Sequence, residues 1–185
     1  YPLRRQRQMC IRDSQYADLI LVGDSLGSVL YNFDTTRKVN LKMMIEHSKS
    51  VRKGVKKSLM IVDMPFDTYK NKSQALKNCK KVLKETKCDG IKLEGGRELN
   101  NIIKYLINNK IPVMGHIGIT PQTTRGKYRY KGRTAFEKKK LLKDSKSLEE
   151  AGAFAIVLEC IERKLSQEIT KTIKIPTIGI GSSKY

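Results

Sequence analysis

Long apolar runs, paired cysteines and aromatic side chains are all scarce in this sequence of 185 residues. No apolar run is long enough to span a membrane and no signal-peptide pattern is present, so we expect a cytosolic (cytoplasmic) protein without a membrane partner. The cysteines lack the CxxC spacing that is typical of zinc sites, which predicts buried thiols rather than disulfides or a metal centre. These are Cys10, Cys79, Cys88 and Cys160.

The sequence is strongly basic, with a formal net charge of +20. Clustered Lys and Arg would indicate a nucleic-acid partner, because such clusters neutralise phosphates and release counterions. Here the lysines are spread over every predicted helix, and aromatic residues, at 6%, are too few for a base-stacking surface. We therefore predict solvated helix faces and no nucleic-acid partner. The dense run Lys138, Lys139 and Lys140 is interpreted in the same way.

Short apolar runs rich in β-branched residues alternate with longer amphipathic stretches along the chain. Each run is too short for an ordinary helix, which predicts six strands. The predicted strands cover residues 19–23, 59–64, 90–94, 112–117, 154–159 and 176–181. The stretches between them predict four helices: one capped by Asn40, one capped by Ser73, one over residues 99–107 and one over residues 141–151.

This alternation predicts an α/β fold with a parallel sheet covered by helices on both faces. Polar residues follow nearly every strand, which favours a (β/α)8 TIM barrel, because a barrel gathers its ligand contacts from the whole rim. Such a barrel typically needs about 250 residues, so we expect an incomplete one with about six of the eight strands, the first and the last being missing. Residues 1–14 are Arg-rich and unpatterned, and we interpret them as a foreign or misassembled segment ahead of a catalytic domain over residues 15–185.

Carboxylates stand at the carboxyl ends of three successive predicted strands. Asp24 lies in VGDSLG, Asp63 in VDMPF and Glu94 in KLEGG. One Asp in such a place is more often a turn or helix cap than a ligand, but three on successive strands favour a shared role. Two or three carboxylates at a barrel mouth suit a hard cation such as Mg²⁺, and Lys92 could then bind an anionic substrate.

Two further polar residues follow the fourth and fifth predicted strands. His116 lies in GHIGITPQ, where its imidazole could donate a hydrogen bond to a substrate oxygen, although a lone histidine is more often structural. Glu159 ends the very apolar run AFAIVLEC. A carboxylate withdrawn from water in such surroundings suits a proton-abstracting base, and a salt bridge to a lysine is the alternative.

The motifs follow one another in the order LVGDSLG, VDMPF, KLEGG, IPVMGHIGITPQ, EEAGAFAIVLEC and IPTIGIG. With them the sequence resembles the ketopantoate hydroxymethyltransferase family over residues 16–183. The resemblance implies a (β/α)8 barrel that binds Mg²⁺ and moves a hydroxymethyl group from 5,10-methylenetetrahydrofolate to 3-methyl-2-oxobutanoate. The product would be 2-dehydropantoate, in pantothenate biosynthesis. The resemblance also implies a homo-oligomer, commonly a decamer.

The same resemblance implies roles for individual residues. Asp24 and Asp63 would be metal ligands, with Glu94 completing the metal site through water. Glu159 would be the proton acceptor. The keto-acid site would be lined by Asp24, Ser25, Asp63, Lys92 and, in a supporting role, His116.

The sequence also departs from the family. A glycine-rich loop of the family appears here as RGKYRYKG, and Glu162 replaces a proline that usually follows the VLEC motif. Because open strand edges invite aggregation, we expect this chain expressed alone to be poorly folded or inactive. The alternative function is that of another Mg²⁺-dependent 2-oxo acid barrel, of the phosphoenolpyruvate mutase and isocitrate lyase group. A requirement for methylenetetrahydrofolate in turnover would distinguish the two.

Overall fold

The computed structural model describes residues 15–124 and 129–182. The chain divides into two compact units, residues 1–92 and residues 93–185, and the boundary between them falls within the third strand. The interpretation of residues 1–14 as a foreign segment, with Cys10, lies outside the described residues. So does the part of the RGKYRYKG loop that covers residues 125–128.

The first unit alternates strands and helices as predicted. Its elements are β1 (Leu19–Val22), α1 (Leu26–Tyr31), a 3-10 turn (Thr36–Lys38), α2 (Leu41–Gly54), β2 (Leu59–Asp63), α3 (Lys72–Thr86) and the beginning of β3 (Gly90–Glu94). The strands pair in parallel and in chain order, with Leu19 opposite Leu59 and Asp63 opposite Lys92. This register brings the carboxyl ends of β1 and β2 and Lys92 of β3 to one edge of the unit.

The second unit repeats the pattern after the last two residues of β3. Its further elements are a 3-10 turn (Arg97–Leu99), α4 (Asn100–Asn108), β4 (Val113–Gly118), α5 (Ala135–Glu150), β5 (Ala155–Glu159), α6 (Arg163–Thr172) and β6 (Thr177–Ile180). Its strands β4, β5 and β6 also pair in parallel, with His116 opposite Val157 and Glu159 opposite Ile180. His116 and Glu159 therefore stand on neighbouring strands of the same unit.

Both faces of the strands are covered. Successive residues of a strand point to opposite faces, yet Met60, Ile61 and Val62 of β2 are all buried, as are the residues of β5 from Ala155 to Leu158. Within each unit a helix supplies part of the cover, since α2 packs on β1 and β2 and α5 packs on β4 and β5. Burial on both faces explains why the strands read as continuous apolar runs.

All six predicted strands are confirmed, and their bounds agree with the structure to within one residue at each end. The cap predicted at Asn40 is confirmed as well, because its Oδ1 accepts a hydrogen bond from the Met43 amide at 3.0 Å. The cap predicted at Ser73 is wrong. Helix α3 begins earlier, and the Oδ1 of Asn71 accepts from the Gln74 amide at 2.9 Å.

Helix α5 begins well before the predicted start at Leu141. Its cap is Thr134, whose hydroxyl accepts from the Glu137 amide at 3.1 Å. The Glu137 carboxylate in turn accepts from the amides of Gly132 and Arg133, the two residues that precede the cap. The first turns of α5 are exposed and rich in lysine, so they carry no apolar stripe that could have marked them.

The cysteines and the lysine run behave largely as expected. Cys79 and Cys88 are free, buried thiols, and burial raises the pKa of the Cys79 thiol to about 12. Cys160 is only partly buried, because it leaves β5 in a left-handed conformation with a φ of 50°. The run from Lys138 to Lys140 is exposed, as predicted. Across the described residues, every helix is too short or too polar to cross a lipid bilayer.

Candidate active site

Three of the predicted site residues meet in the first unit. Asp24 directly follows β1, Asp63 ends β2 and Lys92 lies in β3, and all three are buried. The Nζ of Lys92 lies 3.0 Å from the Oδ1 of Asp63, and the Asp24 amide donates to its Oδ2 at 3.1 Å. One buried carboxylate thus faces a cation and accepts a hydrogen bond from a backbone N–H.

Ser25 lies at the exposed edge of the cluster formed by Asp24, Asp63 and Lys92. It occupies the N-cap position of α1, yet its side chain accepts no capping hydrogen bond, and the residue is exposed. Beside it, a Cβ atom at Gly23 would lie 3.0 Å from the Ser25 hydroxyl and 3.5 Å from Asp63 Oδ2. The glycine therefore leaves room between the hydroxyl and the carboxylate, as a small ligand would require.

Three further predicted residues meet in the second unit, around His116. The Nε2 of His116 lies 3.2 Å from the Oε2 of Glu159, and its Nδ1 lies 3.7 Å from the Oε1 of Glu94. The imidazole is buried, so two carboxylates flank one ring that has little contact with water. Each ring nitrogen can donate or accept a hydrogen bond, depending on the tautomer.

Glu159 is less withdrawn from water than the sequence suggested. Its side chain remains 23% exposed, because it stands at the very end of β5. Opposite it in the register is Gly118, with a φ of 105°, and a Cβ atom there would lie 2.1 Å from the Glu159 carbonyl oxygen. A bare glycine is therefore required where β4 and β5 approach each other. The partial exposure leaves the carboxylate accessible to a substrate.

Glu94 is held by a backbone hydrogen bond. Its Oε2 accepts a hydrogen bond from the Gln122 amide at 3.0 Å. The next residue, Gly95, donates its amide to the His116 carbonyl oxygen at 3.0 Å. Glu94 also lines a polar cavity of about 90 Å³ with Gly96, Thr120, Thr123, Lys140 and Asp144.

Gln122 and Asp144 were not predicted from the sequence. Gln122 takes part through its backbone amide, and a backbone amide leaves no mark in a sequence. Asp144 did leave a signal, since it stands within the buried stripe of α5 that also contains Leu141, Ser145 and Leu148. A charged residue in such a stripe is unusual unless it is paired.

The donor atoms fit a hard cation that keeps much of its own water. Asp24 and Asp63 supply two buried carboxylates in one unit, and Mg²⁺ commonly binds through one or two carboxylates, with water and substrate oxygens completing the shell. Within residues 15–124 and 129–182 there is no group of three or more His, Cys, Asp or Glu residues that could hold a metal ion. The residues therefore do not fit an ion that needs a full set of protein ligands.

Comparison with known proteins decides the family. Residues 8–185 match the family model described as ketopantoate hydroxymethyltransferase. The chain belongs to the ketopantoate hydroxymethyltransferase family. The resemblance seen in the sequence is therefore confirmed.

Several relatives carry the name 3-methyl-2-oxobutanoate hydroxymethyltransferase. The chain is 63% identical to the protein of Pelagibacter ubique over 171 residues, which covers 92% of this chain and 66% of the relative. It is 50% identical to the protein of Helicobacter pylori over 169 residues, covering 90% and 63%. It is 48% identical to that of Rhizobium rhizogenes over 171 residues, covering 91% and 63%. The chain thus spans about two thirds of the length of these curated relatives.

Solved structures extend the likeness to the fold. A 2,3-dimethylmalate lyase of the PEP mutase/isocitrate lyase superfamily matches 97% of this chain and 66% of its own, with a TM-score of 0.70 at 12% identity. The orotidine 5'-monophosphate decarboxylase of Methanocaldococcus jannaschii matches 95% and 75%, with a TM-score of 0.62 at 19% identity. Identities this low concern the fold alone. They confirm the α/β class and the partial (β/α)8 barrel predicted for a member of this family.

Proposed function

We propose that this chain carries the chemistry of a 3-methyl-2-oxobutanoate hydroxymethyltransferase. In that reaction 5,10-methylenetetrahydrofolate gives a hydroxymethyl group to 3-methyl-2-oxobutanoate, which becomes 2-dehydropantoate, in pantothenate biosynthesis. The family membership supports the proposal. The observation that carries it is Glu159 beside His116, because a partly exposed carboxylate at the edge of a buried site is suited to take a proton from a bound substrate.

Proton removal is the first step. The C3–H bond of the keto acid breaks, the proton passes to Glu159, and the electron pair moves into an enolate whose charge develops on the keto oxygen. His116 Nε2 lies 3.2 Å from the Oε2 of Glu159, so the other carboxylate oxygen would accept the proton. The Oε1 of Glu94 lies 3.7 Å from the opposite nitrogen of the same ring, which is beyond hydrogen-bond distance.

Substrate binding falls to the residues of the first unit. Lys92 would bind the substrate carboxylate, and since an ammonium group has three donors, its pairing with Asp63 is compatible with this contact. Ser25 would contribute its hydroxyl from the rim. A Mg²⁺ ion held by Asp24 and Asp63, with Glu94 reached through water, would supply a Lewis acid for the enolate oxygen when bound.

Carbon–carbon bond formation completes the transfer. Water bonds to the one-carbon unit of the folate, whose bonds to the two folate nitrogens break; each nitrogen takes one proton of the water, which leaves formaldehyde and tetrahydrofolate. The enolate carbon then adds to the formaldehyde carbonyl carbon, and Glu159, which took the C3 proton, returns it to the oxygen that becomes the new hydroxyl group.

Exchange of the C3 proton of 3-methyl-2-oxobutanoate in D2O tests this function. The assay is followed by NMR with and without Mg²⁺, on this chain and on a version lengthened to the extent of the Pelagibacter ubique relative. We expect Mg²⁺-dependent exchange in the lengthened protein. The same measurement on the chain alone tests the expectation that it is inactive. A folded lengthened protein without exchange would refute the proposal.

The base is tested by Glu159→Gln in the same assay. Loss of a general base typically lowers a rate by about 10²- to 10⁴-fold, so we expect exchange to fall by that much while Mg²⁺ binding is kept. Glu150→Gln, at the exposed end of α5, is the control and leaves exchange unchanged. Normal exchange in Glu159→Gln would show that another group removes the proton.

Two further parts of the proposal have their own measurements. Turnover that continues without methylenetetrahydrofolate would favour the alternative, a Mg²⁺-dependent 2-oxo acid enzyme of the phosphoenolpyruvate mutase and isocitrate lyase group. Sedimentation velocity of the lengthened protein tests the homo-oligomer, for which the family resemblance implies a decamer.

A further inference from the structure

Asp144 of helix α5 accepts three hydrogen bonds although its side chain is only 2% exposed. Its Oδ1 accepts from the backbone amide of Arg97 at 3.3 Å and from the Nε of the same residue at 2.9 Å. Its Oδ2 accepts from the Nζ of Lys140 at 2.6 Å. Both cationic side chains are about half exposed, so this buried carboxylate is compensated by charges that stay in contact with water.

Asp144 also lies against the backbone of the loop that follows β3. A Cβ atom at Gly96 would lie 2.5 Å from the Cγ of Asp144, so this residue must be glycine for the carboxylate to approach. The Gly96 amide donates to the Oε1 of Glu98 at 2.7 Å. The backbone of Gly96 and Arg97 is thus fixed from α5 on one side and from its own turn on the other.

The fixed segment begins two residues after Glu94. Between them, Gly95 donates its amide to the His116 carbonyl oxygen, so the backbone from Glu94 to Arg97 is held at successive points. The Glu94 carboxylate lies at the Gln122 amide, and Glu94 and Asp144 line the same polar cavity of about 90 Å³. The proposed chemistry does not use Asp144 directly, since no contact with substrate or metal is assigned to it.

We propose that Asp144 is a positioning residue for Glu94. By anchoring Gly96 and Arg97 to helix α5, it sets the place of the Glu94 carboxylate at the end of β3. The inference depends on the proposed function at one point, which is the role of Glu94 in the metal site. It adds an outer contact of the kind that orients metal-site carboxylates and whose loss typically weakens metal affinity.

The test compares Asp144→Asn with Gly96→Ala in the lengthened protein. The first variant removes the charge that Arg97 and Lys140 bind, and the second pushes the carboxylate away by adding a methyl group. Asp89→Asn is the control. Asp89 also accepts from an arginine and a backbone amide, those of Arg52 and Met60, but it precedes β3 at the end remote from Glu94.

Two readouts are followed. The first is the backbone NMR resonance and hydrogen-exchange rate of the Gln122 amide, which report on the hydrogen bond to Glu94 without any ligand. The second is binding of Mn²⁺, as a Mg²⁺ substitute, by electron paramagnetic resonance, together with the Mg²⁺ concentration that gives half-maximal C3 exchange. In both Asp144→Asn and Gly96→Ala we expect faster exchange of the Gln122 amide and metal binding weakened by about 10- to 100-fold, with the exchange rate at saturating Mg²⁺ kept.

The outcomes separate this inference from the proposed function. An unchanged Gln122 amide and unchanged metal binding in both variants would overturn the positioning role. Equal effects in Asp89→Asn would overturn it too, because they would show general loosening. If the parent protein shows no metal-dependent C3 exchange, the proposed function fails, and the Gln122 amide alone decides on Asp144. Should Asp144→Asn not fold, Arg97→Ala, which removes one half-exposed donor, must shift the Gln122 amide in the same direction.

Discussion

Glu162 is a departure from the family pattern that affects the start of helix α6. The residue has a φ of −53°, which a proline would also adopt, and a proline is what the family resemblance led us to expect there. As glutamate it donates its amide to the Lys131 carbonyl oxygen, which a proline cannot do. Its carboxylate accepts from the Lys164 and Leu165 amides and caps helix α6. The departure from the family thus strengthens the start of this helix.

The cap at Glu162 predicts a pH dependence of stability. The hydrogen bond from the Lys164 amide, assisted by that from Leu165, lowers the pKa of Glu162 below its usual range. A lowered pKa in the folded protein means that the stabilisation is present above the ordinary glutamate value of about 4.3 and is lost as pH falls through the folded value. Glu162→Gln keeps an acceptor oxygen but does not titrate. In urea unfolding, we expect the stability advantage of the parent over this variant to shrink from pH 7 to acid pH.

Glu168→Gln provides the control for this measurement. It removes an exposed carboxylate from the same helix at a position that caps nothing. If the parent and Glu162→Gln lost stability in parallel on acidification, the cap would not depend on the charge of Glu162.

At the scale of residues, the sequence predicted the side chains of the candidate site better than its backbone contacts. Asp24, Asp63 and Lys92 were predictable because parallel strands end at one edge, so polar residues that follow them come together. The amide of Gln122 was not, since nearly every residue carries the same N–H group. The burial of Glu159 was overestimated, because an apolar strand says little about the exposure of its last residue.

At the scale of elements, the ends of helices were predicted less well than the helices themselves. Asn71 and Ser73 both belong to the residue types that cap helices, and the apolar stripe of α3 begins only at Ala75. The pattern therefore located the helix but did not define where its first turn begins. Helices α1 and α6 were not predicted at all. The first is short, and the second buries only Leu165, Ser166 and Ile169, too sparse a stripe to stand out.

A pair of substitutions measures the cap of α3. Asn71→Ala removes the oxygen that accepts from the Gln74 amide, and loss of such a cap typically costs about 1 kcal/mol of unfolding free energy. Ser73→Ala changes an exposed helical residue to a better helix former, so we expect a change within about 0.5 kcal/mol. Urea unfolding at neutral pH gives both values. A larger loss in Ser73→Ala than in Asn71→Ala would contradict the assignment of the cap.

For the molecule as a whole, the order of elements was predictable because strands and helices alternate and neighbouring strands in sequence pair within each unit. Open strand edges were expected as well. Among the described residues β6 pairs with β5 alone, and its Ile178 and Ile180 remain 36% and 41% exposed. An apolar strand with an open edge offers a template for pairing with another chain.

We therefore expect Ile180→Lys to reduce self-association of this chain, because a lysine on an edge strand opposes edge-to-edge pairing. Light scattering during incubation at increasing protein concentration measures the effect. Val29→Lys is the control, since Val29 is even more exposed, at 77%, but lies on helix α1 and presents no strand edge. Equal reductions in the two variants would attribute the change to added charge rather than to the edge.

The glycine opposite Glu159 has a consequence for engineering. Because any side chain at Gly118 would collide with the Glu159 carbonyl oxygen, engineering of the candidate site must keep that residue fixed. Ser25 is the contrasting position, exposed and outside any capping bond, where a library can be diversified widely. The candidate site thus combines one position that accepts no side chain with one where the side chain can vary.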